Sequence, residues 1–284
     1  MEIDARTQFC GVIGNPVDHS LSPAIHNAAF RKLGLNFVYL AWRVESIADA
    51  ICGLKALGNF RGASVTIPHK VAALPLLDEV EATAKHIGAI NTIVAREGRL
   101  TGYNTDASGA LRALREAGTT PKHGRVSILG TGGAARAIAF ALATDGQLDH
   151  LYLFGIVEQE RDALARDLRA KTSLKLTTAH LDDAALEKSL ADSQLLIHCT
   201  PVGMSPKVDE SCVPRSLLHS SLTVMDVVYN PRETRLLKDA RQQGCRTISG
   251  LEMFLYQAAG QFELWTGKPA PTDTMRAILE SRFS

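Results

Sequence analysis

Cysteine is scarce in this chain and badly placed for covalent or metal chemistry. Of 284 residues five are cysteine, at Cys10, Cys52, Cys199, Cys212 and Cys245, and no two form a C-x-x-C pair. An odd, scattered set excludes a disulfide framework and a zinc ribbon, and it suits a reducing compartment. Charge of either sign is also missing in bulk. Lys and Arg number 31 against 30 for Asp and Glu, a formal net charge of +1, so no general field draws nucleic acid or an anionic membrane. No apolar run reaches the roughly 20 residues of a membrane span. The first ten residues carry Glu2, Asp4 and Arg6 and lack the apolar core of a signal peptide. These absences give the expectation of a cytoplasmic protein, monomer or homodimer, acting on a small molecule without a metal, nucleic acid or membrane partner.

What is present is the material of an ordinary globular protein. Hydrophobic residues make up 45% and charged residues 21%, enough for real cores, and the length suggests two domains. Short apolar runs predict strands at Phe9–Ile13, Phe37–Trp42, Ala63–Ile67 and Asn91–Ala95, with helical segments at Pro23–Leu33 and Ser46–Leu57 between them. This alternation predicts βαβ units around a mainly parallel sheet. The polar stretch Thr119–Gly124 reads as a linker. Beyond it, strands are predicted at Arg125–Leu129, Leu151–Phe154, Leu195–Cys199 and Leu222–Val227, with a helix at Ala134–Ala143. The end of the chain reads differently, as two helices, Gly250–Trp265 and Thr272–Ser281, with no strand between them. The expected fold is α/β with two α/β domains. Residues 1–107 form a substrate-binding and catalytic domain, 108–248 a Rossmann-type dinucleotide-binding domain, and 249–284 return to the first.

The run from Val126 to Ala135 fits a strand, then G-x-G-x-x-A, then a helix. Gly130 permits the tight turn, Gly132 lets the backbone approach a pyrophosphate, and Ala135 keeps helix and strand close. With Thr131, Gly133 and Ala134, the turn presents free N–H groups and the positive end of a helix dipole to phosphates. The alternative is a glycine-rich turn with no ligand. The next strand leads into Gly155-Ile156-Val157-Glu158-Gln159-Glu160. No acid ends this strand to bind a ribose diol, and no cation stands in the turn for a 2′-phosphate. Arg136 and Arg161 are the nearest cations and read best as solvated helix residues. Glu158 and Glu160 would repel a 2′-phosphate. The cofactor is thus NADP or NAD, with local electrostatics leaning to NAD.

Polar clusters stand at the ends of apolar runs in the first half. The first is His19-Ser20-Leu21-Ser22-Pro23. Ser22 directly precedes a proline and taken alone reads as a helix N-cap. Ser20 is not needed for capping, and two hydroxyls beside a helix start suit a carboxylate. The second, Val65-Thr66-Ile67-Pro68-His69-Lys70, puts a lysine at the mouth of a sheet, although most lysines are simply exposed. The third pairs Gly88–Thr92 with Gly102–Asp106, whose Asn and Asp taken singly would be turn formers.

Taken in order, these segments resemble the shikimate dehydrogenase family over nearly the whole chain. The likeness begins at Gly14-Asn15-Pro16 and runs through the three clusters and the glycine turn. It continues in Thr200-Pro-Val-Gly-Met204 and Asp226-Val-Val-Tyr-Asn-Pro231, and ends at Gln257 and Trp265. The resemblance implies that Ser20 and Ser22 hold the substrate carboxylate, with Tyr229 near it. Lys70 and Asp106 would be the catalytic pair at the reacting hydroxyl, and Thr66, Asn91 and Gln257 the remaining substrate contacts. Gly130–Ala134 and Gly155 would hold the cofactor, with Met204 and Gly250 on its nicotinamide side. NADP-dependent members carry an Asn-Arg-Thr-like turn where this chain has Gly155-Ile156-Val157. The implied activity is reversible oxidation of shikimate to 3-dehydroshikimate with NAD or NADP. Quinate as substrate, or a non-catalytic sensor of nucleotide or shikimate, are the competing readings. The intact Lys70–Asp106 pair argues against a sensor, and His19–Pro23 against a tetrahydrofolate-type dehydrogenase.

Overall fold

Alternating apolar runs and amphipathic stretches build two α/β units in the computed structural model, which describes residues 2–145 and 147–283. In chain order the elements begin β1 (Gln8–Gly14), α1 (Ser22–Lys32), β2 (Phe37–Arg43), α2 (Ile47–Lys55), β3 (Phe60–Val65), β4 (Glu79–Val80), α3 (Ala82–Ile87), β5 (Thr92–Arg96), β6 (Arg99–Tyr103) and α4 (Thr105–Glu116). They continue β7 (Arg125–Leu129), α5 (Gly133–Asp145), β8 (His150–Phe154), α6 (Glu158–Lys171), β9 (Leu176–Ala179), α7 (Asp183–Leu190), β10 (Leu195–His198), β11 (Thr223–Asp226), α8 (Arg235–Gln242), β12 (Arg246–Ile248), α9 (Gly250–Thr266) and α10 (Thr272–Ser281). One unit comprises Met1–Thr105 with Leu255–Ser284, and the other comprises Asp106–Phe254. α9 begins in the second unit and passes into the first at Leu255, and α10 lies wholly in the first. The polar stretch 119–124 lies inside the second unit, between α4 and β7.

The first unit carries a six-stranded sheet in the order β2-β1-β3-β5-β6-β4. Three of its five pairings are parallel, as predicted above, and the antiparallel ones are those of β5. β1 pairs in parallel with β2 and β3, and β4 with β6, but β3–β5 and β5–β6 are antiparallel. The reason is local. Glu97 (φ 51°) and Gly98 (φ 75°) both take left-handed backbone, the requirement of a two-residue hairpin turn. The chain thus folds back at once into β6 instead of crossing over.

Ile13, Ala63, Val65, Ile90 and Ile93 form a core against Ile47 and Ile51 of α2. Trp265 of α9 packs on this sheet and donates its indole N–H to the Ile93 carbonyl at 2.9 Å. Gly62 makes the approach possible, since a Cβ there would stand 2.4 Å from the indole nitrogen and 2.1 Å from that carbonyl.

The second unit carries six parallel strands in the order β12-β11-β10-β7-β8-β9. Strands covered on both faces read as continuous apolar runs, and β10 is buried along its length, including its last residue, His198. Among the described residues no helix is long and apolar enough to cross a membrane.

Candidate active site

In the first unit the strands and α1 bring several predicted residues into one hydrogen-bonded system. Ser22 is not the N-cap expected from its proline. α1 starts at Ser22, and Leu21 takes the cap position without a side-chain bond. It is Ser20, the serine that the sequence does not need for capping, whose Oγ accepts the Ser22 N–H at 3.3 Å. Ser22 is buried. The Tyr39 hydroxyl meets Ser64 Oγ at 2.6 Å, and Ser64 donates to Gln261 Oε1 at 2.7 Å. The Gln261 amide donates to the Asn91 carbonyl and to Thr92 Oγ1, both at 3.1 Å. Burial drives the Tyr39 hydroxyl far above its usual titration range despite these partners, so Tyr39 stays neutral and able to donate at every working pH.

Asn91 is the hub of the other end. Its Oδ1 accepts the Thr105 N–H at 2.8 Å, and its Nδ2 donates to Thr105 Oγ1 at 3.0 Å and Gln257 Oε1 at 3.4 Å. Asn104 Nδ2 donates to the Ala89 carbonyl at 2.9 Å. The asparagines are thus more than turn formers: they tie the start of α4 to the loop before β5. Asp106 follows Thr105 in the first turn of α4 and is buried. Lys70 lies in the loop after β3, half-buried. Its carbonyl accepts the Ile90 N–H at 2.9 Å, and the His69 ring reaches the Val44 carbonyl at 2.8 Å. Thr66 bonds through its backbone to Ile13 and His69. Ser20, Ser22, Thr66, Lys70, Asn91 and Gln257 all belong to the first unit, whereas Asp106 and Tyr229 are counted with the second.

In the second unit β7 ends at Leu129 and α5 begins at Gly133. Gly130 has φ +107°, and a Cβ there would press within 2.9 Å of the Cys199 carbonyl oxygen. At Gly132 a Cβ would meet nothing within 4 Å. A turn closed on one side and open on the other, at the start of a 13-residue helix, fits a dinucleotide pyrophosphate. Thr131 donates to Glu160 Oε2 at 3.2 Å, which sets a carboxylate beside the turn. Gly155 lies against Thr131, with 2.6 Å between a hypothetical Cβ and Thr131 Cγ2. Met204 is exposed. Gly250 has a packing reason of its own, since a Cβ would strike the Val227 carbonyl at 2.5 Å. The Tyr229 ring packs on Phe254, 4.5 Å between centroids, and burial pushes its hydroxyl up to about 12.

Arg136 and Arg161 are not the solvated residues expected. Their side chains are 13% and 14% exposed. Arg136 pairs with Asp167 of α6 and lies over the Phe140 ring, and Arg161 pairs with Glu158 and Asp162. A long aliphatic stem covers apolar surface while its head keeps a carboxylate partner.

The residues to which the sequence reading gives no role are Tyr39, Ser64 and Gln261 in the first unit and the His198–Asp226 pair in the second. Gln261 had a usable signal, one helical turn beyond Gln257 and so on the same face.

With this geometry in place, comparison with known proteins is direct. Residues 12–93 match the shikimate dehydrogenase substrate binding domain, and residues 250–280 match the shikimate 5'-dehydrogenase C-terminal domain. A shikimate dehydrogenase (NADP(+)) of Methanopyrus kandleri is 47% identical over 285 residues, spanning 99% of this chain and 98% of its own. The solved shikimate 5-dehydrogenase of Listeria monocytogenes, in complex with shikimate and NAD, is 39% identical with a TM-score of 0.90, and 98% of each chain is covered. A quinate dehydrogenase of Corynebacterium glutamicum in complex with NAD is 33% identical with a TM-score of 0.89, covering 97% of this chain and 99% of that one.

Proposed function

The chain belongs to the shikimate dehydrogenase family, and from that premise we propose that it oxidises shikimate reversibly to 3-dehydroshikimate with a nicotinamide dinucleotide, preferring NAD. The observation that carries the substrate half is the buried hydrogen-bond chain from Tyr39 through Ser64 and Gln261 to Asn91 and Gln257. It sets hydroxyl and amide groups at fixed positions, as recognition of a small carboxylated polyol requires. When bound, the cofactor supplies the hydride acceptor. Lys70 takes the hydroxyl proton at Nζ and steadies the developing alkoxide, and Asp106 orients the hydroxyl. Ser20 and Ser22 hold the carboxylate, Tyr229 adds to that end, and Thr66, Asn91 and Gln257 hold the ring hydroxyls. Gly130–Ala134 and Gly155 hold the dinucleotide, with Met204 and Gly250 on its nicotinamide side.

Hydroxyl–carboxylate hydrogen bonds contribute roughly 1.5–3 kcal/mol. Ser22→Ala is therefore expected to raise the KM for shikimate about ten- to hundredfold, with kcat changing less. Unchanged KM and kcat would reduce Ser22 to a packing residue.

The NAD preference rests on the turn after β8. Ile156 is 70% exposed where a 2′-phosphate would need a cation. Glu160 faces the glycine turn through Thr131, and Arg136 and Arg161 are committed to carboxylates of α6. Steady-state oxidation of shikimate and of quinate, each with NAD and with NADP, tests both choices at once. Shikimate with NAD is expected to give the highest kcat/KM. Ile156→Arg is expected to shift the NADP/NAD ratio of kcat/KM upward by about tenfold or more. An NADP preference in the unaltered protein overturns the cofactor choice, and faster quinate turnover overturns the substrate.

A further inference from the structure

β10 ends in a residue that its surroundings do not suit. His198 stands in the sheet between Leu129 of β7 and Asp226 of β11 and is 1% exposed. Its Nδ1 lies 2.9 Å from Asp226 Oδ1 and its Nε2 2.5 Å from Thr200 Oγ1. Asp226 is fully buried, and both of its oxygens already accept hydrogen bonds. Oδ1 takes the Val228 N–H at 2.9 Å and Oδ2 the Thr234 hydroxyl at 2.6 Å. With only acceptors facing it, Nδ1 must carry a hydrogen.

The state of Nε2 decides what Thr200 can do. If Nε2 is bare, it accepts the Thr200 hydroxyl proton, and that donor is consumed inside the protein. If Nε2 carries a hydrogen, Thr200 Oγ1 accepts it. The same oxygen also accepts the Val202 N–H at 3.2 Å. Both lone pairs are then used, and the Thr200 O–H is left to donate outward. A buried carboxylate without a counter-charge is strongly unfavourable, and among the described residues His198 is the basic side chain paired with Asp226. Burial opposes a charged imidazole, but Asp226, with Cys212 also facing the ring, overcomes it and pushes His198 up to about 10. Among the described residues those two are the titratable groups that act on it. Thr200 is half-buried, and its Cγ2 would stand 3.3 Å from a Cβ on Gly130, so the Thr200 side chain borders the glycine turn.

We propose that His198, paired with Asp226, is a positioning residue that fixes the Thr200 hydroxyl as a hydrogen-bond donor to an oxygen of the bound dinucleotide. This rests on the dinucleotide reading above, and its test separates the two. In the unliganded protein, ¹⁵N spectra of the His198 ring are expected to show both nitrogens protonated from pH 7 until the pH passes about 10. The Kd for NAD, measured by titration calorimetry, is expected to rise about five- to tenfold in Thr200→Val and to recover in Thr200→Ser. In the unaltered protein NAD binding weakens as pH rises through about 10, because the deprotonated ring then takes back the Thr200 proton. His198→Asn abolishes that step. A neutral His198 ring at pH 7, Thr200→Val binding as well as the unaltered protein, or His198→Asn keeping the full pH step each overturns the proposal. If His198→Asn does not fold, the ring spectra and the Thr200 pair still decide. Failure of both NAD and NADP to bind at any pH overturns the dinucleotide reading itself, and the proposal with it.

Discussion

Lys70→Ala is expected to lose about a hundred- to ten-thousand-fold in kcat for shikimate oxidation while the protein stays folded. A positioned acid/base group contributes that order of rate, and here the same ammonium would also steady the alkoxide charge. The loss should fall on kcat, because Ser20, Ser22, Asn91 and Gln257, the groups proposed to hold the carboxylate and the remaining hydroxyls, are unchanged. Stability should change little, because the loop is pinned by bonds that alanine leaves in place. These are Ile90 N–H to the Lys70 carbonyl, His69 N–H to the Thr66 carbonyl, and the His69 ring to the Val44 carbonyl. Turnover and thermal midpoint should therefore be measured together. Near-normal kcat in a folded Lys70→Ala protein would remove Lys70 from the chemistry. A lower thermal midpoint with parallel loss of activity would mean that the loop, and not the proton transfer, had been damaged.

Which parts of this site could be read from sequence follows from what each pattern encodes. The glycine turn was legible because strand, glycines and helix start are adjacent in the chain, and each residue type answers a local need. The polar clusters were legible as clusters because they interrupt apolar runs. Strand direction was not: an apolar run buries the same way in either direction. The one signal for the antiparallel return at β5–β6 was Glu97-Gly98, and glutamate is an unusual occupant of left-handed backbone.

Side-chain partners were less legible still. Tyr39 and Ser64 lie within strands that read as core, and only three-dimensional pairing shows their hydroxyls meeting 25 residues apart in sequence. Ser20 and Ser22 differ by two positions, and choosing the helix-entry bond between them required the actual start of α1. The ion pair of Arg136 depends on the packing of α5 on α6, which no periodicity reveals, whereas Arg161 pairs locally with Glu158 and Asp162 of its own helix. His198 was hidden for a simpler reason: it closes an apolar run whose other members are core, so its imidazole passed for one more buried side chain.

Asp226→Ala is expected to cost about 3–5 kcal/mol of stability at neutral pH, read from urea or thermal unfolding, because it strands the buried partner of an ion pair. Three hydrogen bonds go with it, from His198, Val228 and Thr234. In a His198→Asn background the same substitution should cost less, since no buried cation is left unpaired, and the difference is the coupling of the pair. The pH dependence has a definite sign. His198 is raised in the folded protein from 6.5 to about 10, so folding takes up a proton between those values and stability falls as pH rises through them. The contribution of the pair is complete below about 6.5, declines across the window, and is gone once the pH passes about 10. The gap between Asp226→Ala and the unaltered protein should therefore narrow on going from pH 7 to above 10. A gap that stays constant over that range would mean that Asp226 acts through its neutral hydrogen bonds alone, and that His198 is not charged in the fold.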